Sequence, residues 1–157
     1  MSIEQKTEHE KLQEVGKFAF ESIAEMVAAL DVDYDRLEEL KGQDERTEEE
    51  AEELAELEKA AGDCESLDDA EQRINDDPLS VQVRSGWRDV GAEMEAEEYN
   101  ILLSTGGPAT RIIGDLNQYG EPETATLQVQ DWFTEWQDYE GGDEKTLLRY
   151  ASRFLGY

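Results

Sequence analysis

Apolar residues in the first part of the chain recur at helical spacing. From Thr7 to Leu30 an apolar side chain falls at every third or fourth position, which predicts one amphipathic helix with a single buried stripe. A shorter helix is predicted around Leu37 and Leu40, ended by Gly42. The stripe of the first helix comprises Leu12, Val15, Phe18 or Ala19, Ile23, Met26 or Val27, and Leu30.

Two further helices are predicted from their first residues. Thr47 followed by Glu50 is a capping box, so a helix should begin there and continue to about Ala61. Ser66, with an acid three residues later, predicts one more short helix through Ile74. The first half of the chain is therefore expected to be helical.

After Pro78 the apolar pattern changes to alternation. Val81, Val83 and Trp87 alternate with polar residues, as on a half-buried strand. The segments Glu98–Ser104 and Ala109–Leu116 flank a Gly-Gly-Pro turn, which predicts a β-hairpin.

A third apolar run and a final helix complete the pattern. Ala125, Leu127 and Val129 should form a strand beside the hairpin, and Asp143 should begin an amphipathic helix after Gly141-Gly142. We therefore predict an α+β fold, with an acidic helical region over residues 1–78. Residues 79–157 should form a small antiparallel sheet of about three or four strands with the C-terminal helix packed on it.

Charge is the strongest compositional signal. The chain has 41 acidic and 14 basic residues, a net charge of −27 and a pI near 4.1. Such a protein repels nucleic acid and anionic membranes, so we expect no direct binding to either and a partner that is basic. Adaptation to high salt is the rival explanation, but it should spread the acids over the whole surface.

The acids concentrate in one stretch. Between Asp44 and Glu58 nine of fifteen residues are acidic and Arg46 is the only base. As a helix this stretch would be about 22 Å long, with roughly one charge per 2.8 Å, against about 1.7 Å for duplex DNA. Such a face could fill a basic groove built for nucleic acid, although a solvated helix face would look the same. The predicted partner-binding residues here are Asp44, Glu45, Glu48, Glu49, Glu52, Glu53 and Glu56.

Several short motifs of the second half form a recognisable set. These are Val83-Arg84-Ser85-Gly86-Trp87, Ser104-Thr105-Gly106-Gly107-Pro108-Ala109, Arg111-Ile112-Ile113-Gly114-Asp115-Leu116 and Gln130-Asp131-Trp132. With them, about half of the chain resembles a family of small acidic proteins of bacteriophages and other mobile elements. The resemblance implies a phage setting, in which such proteins often inhibit host defence systems, including CRISPR effectors and restriction enzymes.

An aromatic cluster lies late in the chain. Trp132, Phe133, Trp136 and Tyr139 fall within eight residues, more than one strand face can bury. Core packing explains part of this cluster. We nevertheless include Trp132 and Trp136 among the predicted partner-binding residues, because an exposed remainder would contact a partner.

Sites for catalysis and metal binding are not predicted. His9 is the only histidine and Cys64 the only cysteine, so neither a catalytic triad nor a thiolate cluster can be assembled. The run Asp31-x-Asp33-x-Asp35 resembles the opening of a calcium loop, but Arg36 occupies the position that requires glycine. We expect no cofactor, no metal and no enzyme activity.

Neither a membrane span nor a secretory signal is predicted, so we expect a protein of the host-cell cytoplasm.

Three functions are consistent with these patterns. The first is an acidic DNA mimic, of anti-CRISPR type, that inhibits a basic nucleic-acid-binding host defence complex. The second is an interaction module that self-associates, for example as a homodimer, through an apolar helix stripe. The third is a small enzyme or ligand-binding domain, with Arg84, Arg111 and Asp131 beside Trp87 and Trp132 on the sheet. That third function predicts a concave pocket near the two arginines.

Overall fold

The computed structural model describes residues 7–156 and confirms the α+β class. Its helices are α1 (Glu8–Leu30), α2 (Tyr34–Lys41), α3 (Glu48–Ala61), α4 (Leu67–Asn75) and α5 (Glu144–Ala151). Its strands are β1 (Ser80–Arg84), β2 (Glu98–Ser104), β3 (Ala109–Asp115), β4 (Thr126–Gln130) and β5 (Gln137–Asp138). None of the helices in this range is long and apolar enough to cross a membrane.

Helices α1 to α4 each begin at a residue whose side chain caps the helix, whereas Asp143 before α5 makes no such hydrogen bond. The Thr47 hydroxyl accepts a hydrogen bond from the Glu50 amide, and the Glu50 carboxylate accepts one from the Thr47 amide, so the predicted capping box is confirmed. Ser66 caps α4 in the same way, by accepting from the Asp69 amide. Gly42 follows α2, as expected, and Gly62 follows α3, which ends at Ala61 as predicted.

The sheet is antiparallel throughout and follows chain order from β1 to β5. The predicted hairpin is confirmed as β2 and β3, and β4 pairs beside it. The expected count of three or four strands was low, because β5 adds a fifth. That strand contains only Gln137 and Asp138, too few residues for a visible alternation.

The prediction for the first strand was wrong at its end and in its burial. Strand β1 stops at Arg84, and Trp87 lies fully exposed in the loop between β1 and β2. Val81 and Val83 are also exposed. These side chains are exposed because β1 lies at one edge of the sheet, whereas α1 and α5 pack over β4, near the other edge.

The helical region and the sheet share one hydrophobic core. Ile23 of α1 and Ile74 of α4 pack with Ile101 of β2, Ile112 of β3 and Leu127 of β4. Side chains along β2 and β4 alternate between buried and half-buried, so one face of the sheet meets the helices. The opposite face, called here the open face, has no helix over it in the described part of the chain.

Candidate functional site

Helix α3 presents an acidic surface to solvent. We define this acidic surface by six predicted residues that are exposed: Asp44 and Glu45, which lie between α2 and α3, and Glu48, Glu49, Glu52 and Glu56 of α3. None of these carboxylates has an ion pair or side-chain hydrogen bond within residues 7–156. The basic residue in the same stretch, Arg46, is turned away and donates to the backbone oxygens of Leu40 and Lys41.

Glu53, also a predicted partner-binding residue, differs from these six because its carboxylate has a partner within the fold. It lies on the side of α3 that faces α2, where it accepts hydrogen bonds from Arg36 Nε at 2.8 Å and Nη2 at 3.0 Å. The hydrogen bond from Arg36 lowers the pKa of Glu53 and raises the pKa of Arg36. This pair joins α2 to α3, so Glu53 is engaged within the fold.

The predicted aromatic residues separate into two environments. Trp132 is 68 % exposed, and its indole lies against Gly107 in the β2–β3 turn, where a Cβ atom would overlap the ring. Phe133 beside it is fully exposed and holds a left-handed backbone conformation, with φ of 65°. Trp132 is therefore accessible to a partner from the end of the sheet.

Trp136 lies on the open face of the sheet and is half-buried. The guanidinium carbon of Arg111 stands 4.0 Å from the centre of a Trp136 ring, within cation–π range. Arg111 Nε donates a hydrogen bond to Gln128 Oε1 at 2.9 Å, and Gln128 Nε2 donates to Asp138 at 2.8 Å. Three neighbouring strands thus hold the Arg111 side chain in place.

The open face also contains a cavity of about 780 Å³. It spans strands β1 to β4, and most of its lining side chains are polar or charged. The lining includes Gln82, Arg84, Glu98, Asn100, Arg111, Ile113, Asp115, Thr124 and Thr126. The third function required such a pocket near Arg84 and Arg111, and the structure has one.

The two arginines of this cavity differ in their partners. Arg84 forms an ion pair with Glu98, its direct neighbour across the β1–β2 ladder. Arg111 has no ion pair within the described residues, and burial lowers its pKa, with a smaller effect from the charge of Arg84. The lining residue Asn100 has a buried Oδ1 atom without a hydrogen-bond partner, which costs about 1–3 kcal/mol unless a donor is supplied.

Other residues of the third hypothesis are not brought to the cavity. Asp131 lies in the turn after β4, where its carboxylate accepts a hydrogen bond from the Trp132 amide. Trp87 is in the exposed loop after β1, so it and Trp132 lie near opposite ends of the sheet. The sequence signal that singled out Arg111 did not include Gln128 and Trp136, which contact it, or Asn100, which lines the same cavity.

Two of the three aspartates of the calcium-like run have structural partners. Asp31 accepts two hydrogen bonds from Arg149, at 2.7 and 3.0 Å, and these lower the pKa of Asp31. Asp33 caps α2 by accepting from the Arg36 amide. Across residues 7–156 no three His, Cys, Asp or Glu side chains are grouped so as to hold a metal ion.

No protein-family model, curated protein or solved structure matches this chain. The resemblance to acidic phage proteins therefore stays a prediction.

Proposed function

We propose that this protein binds a basic, nucleic-acid-binding protein or complex through the acidic surface, in the place that DNA would occupy. The observation that carries the proposal is the row formed by Glu48, Glu52 and Glu56. These exposed, unpaired carboxylates follow one another at i, i+4 positions, about 6 Å apart along the helix axis.

Glu48 lies in the first turn of α3, where a negative charge is favourable, but Glu52 and Glu56 lie beyond that turn. Like charges at i, i+4 destabilise a helix by a few tenths of a kcal/mol for each pair. Glu53 differs, because it pairs with Arg36 of α2 and so helps to join the two helices. Glu52 and Glu56 have no ion pair within residues 7–156, which favours a partner outside the chain.

A narrower form of the proposal names the setting. The resemblance to acidic phage proteins supports an inhibitor of a host defence complex, of anti-CRISPR type, that blocks a groove for nucleic acid. Trp132 and Phe133 would add apolar contact area beside the electrostatic attraction.

The test compares two triple charge reversals. Glu48→Lys, Glu49→Lys and Glu52→Lys change the acidic surface, while Asp89→Lys, Glu93→Lys and Glu95→Lys make the same charge change in the exposed β1–β2 loop. Partners captured from a bacterial host lysate are identified, purified and titrated against each protein by calorimetry at several salt concentrations. We expect the first triple variant to bind on the order of 100-fold more weakly and the second to bind nearly as wild type.

Two further readouts decide between mimicry and other binding. Duplex DNA should compete with the protein for the partner, and affinity should fall steeply as salt rises. Equal losses in the two triple variants, or a partner that stays bound at high salt, would contradict the proposal.

Recovery of only the protein itself would favour the second candidate, self-association. The apolar stripe of α1 faces the core, so it is not available for self-association. The exposed β1–β2 loop, with Trp87, Val90 and Met94, offers apolar surface for it instead. Sedimentation velocity at low and high salt would then show a stable, salt-resistant oligomer.

A further inference from the structure

Arg111 is placed unlike the other arginines of this acidic chain. Six of the eight form ion pairs with carboxylates, and Arg46 donates to backbone oxygens at the end of α2. Arg111 reaches a carboxylate only indirectly, through the neutral amide of Gln128 to Asp138. An unpaired, half-buried arginine is unexpected where acids outnumber bases almost three to one.

The contacts of Arg111 orient its guanidinium and leave part of it unused. Trp136 holds one face of the group and Gln128 accepts from Nε. The Nη1 and Nη2 atoms donate to no group within residues 7–156. Two parallel N–H donors on a planar group match the two oxygens of a carboxylate or a phosphate.

These free donors belong to the lining of the open-face cavity. Its volume of about 780 Å³ is within the range of small-molecule sites. The unpartnered Asn100 Oδ1 in the same lining is an acceptor, so an O–H or N–H elsewhere on the ligand would complete its hydrogen bonding. We propose that this cavity binds a small organic oxyanion, with its carboxylate or phosphate group held by the guanidinium of Arg111.

The surrounding charges restrict the ligand to one anionic group. Arg84 is neutralised by Glu98, and Asp115 carries a further negative charge into the lining. The net charge of −27 repels polyanions such as nucleic acid. A ligand with a single carboxylate or phosphate therefore fits, and binding is independent of the acidic surface of α3.

The first test maps binding on the wild-type protein by NMR. The ¹⁵N-labelled full chain is titrated with sodium acetate and, separately, with inorganic phosphate, against sodium chloride at equal ionic strength. We expect saturable shifts at the amides of Gln82, Asn100 and Thr126 and at the Trp136 indole N–H, and the stronger of the two probes identifies the head group. Shifts absent from these positions, or no saturable shifts with either probe, would overturn the proposal.

The second test uses variants with equal charge changes. Arg111→Gln should weaken binding of the better probe at least tenfold, whereas Lys17→Gln, on exposed α1 surface, should leave it unchanged. Arg111→Lys keeps the charge without the fork and should bind with intermediate affinity. Equal affinity in wild type and Arg111→Gln would overturn the proposal. Circular dichroism shows whether each variant is folded. If a variant is not folded, the proposal is judged from the NMR shifts of the wild-type protein alone.

Discussion

Helix α3 and strand β3 hold charge in opposite ways. Within the part of the chain that the structure describes, the carboxylates of the acidic surface are exposed and form no ion pairs, whereas Arg111 of β3 is half-buried and forms none either. The net charge of −27 conceals this separation. The separation suits the acidic surface to an extended cationic partner and the open-face cavity to a single small anion. A mutation in one of them should therefore leave binding at the other unchanged.

The same two elements also differ in how they are held. Helix α3 buries only Ala61 completely, and is fixed by its capping box and the Glu53–Arg36 pair. Strand β3 is paired on both sides and buries Thr110 and Ile112 in the sheet. Local stability should therefore be low in α3 and high in β3.

The largest effect is expected from a glycine of β3. A Cβ atom at Gly114 would overlap the backbone oxygen of Thr124 and press on the ring of Tyr99, and neither group can move freely. We expect Gly114→Ala to lower the free energy of unfolding by about 3 kcal/mol, measured by urea denaturation. At Gly42, after α2, a Cβ would meet its nearest atom, Glu38 O, at 3.5 Å, and φ is −82°.

Gly42→Ala is therefore the control, expected to change stability by less than about 1 kcal/mol in either direction. Similar losses for the two variants would show that the chain near Thr124 gives way, and that β3 is less rigid than its pairing on both sides suggests.

A smaller effect is expected at the cap of α3. Thr47→Ala removes the acceptor for the Glu50 amide and should cost about 1 kcal/mol. Hydrogen exchange measures it locally: the amides of Glu50 and Ala51 should exchange faster, while those of β3 are unchanged. Thr47→Ser keeps the hydroxyl and should exchange at nearly the wild-type rate. If β3 were affected equally, α3 and the sheet would open as one unit.

The sequence predicted the helix starts better than the arrangement of the sheet. Thr47 and Ser66 are read correctly because a cap involves residues three apart. The exposure of Trp87 and the two-residue strand β5 depend on which strands lie at the edges, and no local pattern contains that information. The pairing of Glu53 with Arg36 joins two helices, so helical spacing alone placed Glu53 with the outer carboxylates.

The candidate sites follow the same division. Most of the acidic surface could be predicted because exposed acids on a capped helix need no knowledge of the fold. Arg111 was noticed, but its site could not be assembled from sequence, because the pairings of Arg111 with Gln128 and of Gln128 with Asp138 depend on strand register.

The smallest effect concerns the inner carboxylates of α3. Hydrogen bonds from Thr47 lower the pKa of Glu50, and the hydrogen bond from Arg36 lowers that of Glu53, so both should titrate below the ordinary value of 4.5. Because the folded pKa lies below the unfolded one, this stabilisation is present above about pH 4.5. It is lost as pH falls through the folded values.

Carboxyl ¹³C NMR titration measures both groups in one experiment. Arg36→Gln should return the pKa of Glu53 towards 4.5 and leave that of Glu50 low, because the largest cause differs for each. A titration of Glu53 that does not change in Arg36→Gln would mean that the pair does not form in solution. Glu53 would then be free to join the acidic surface, and the distinction between inner and outer carboxylates of α3 would no longer hold.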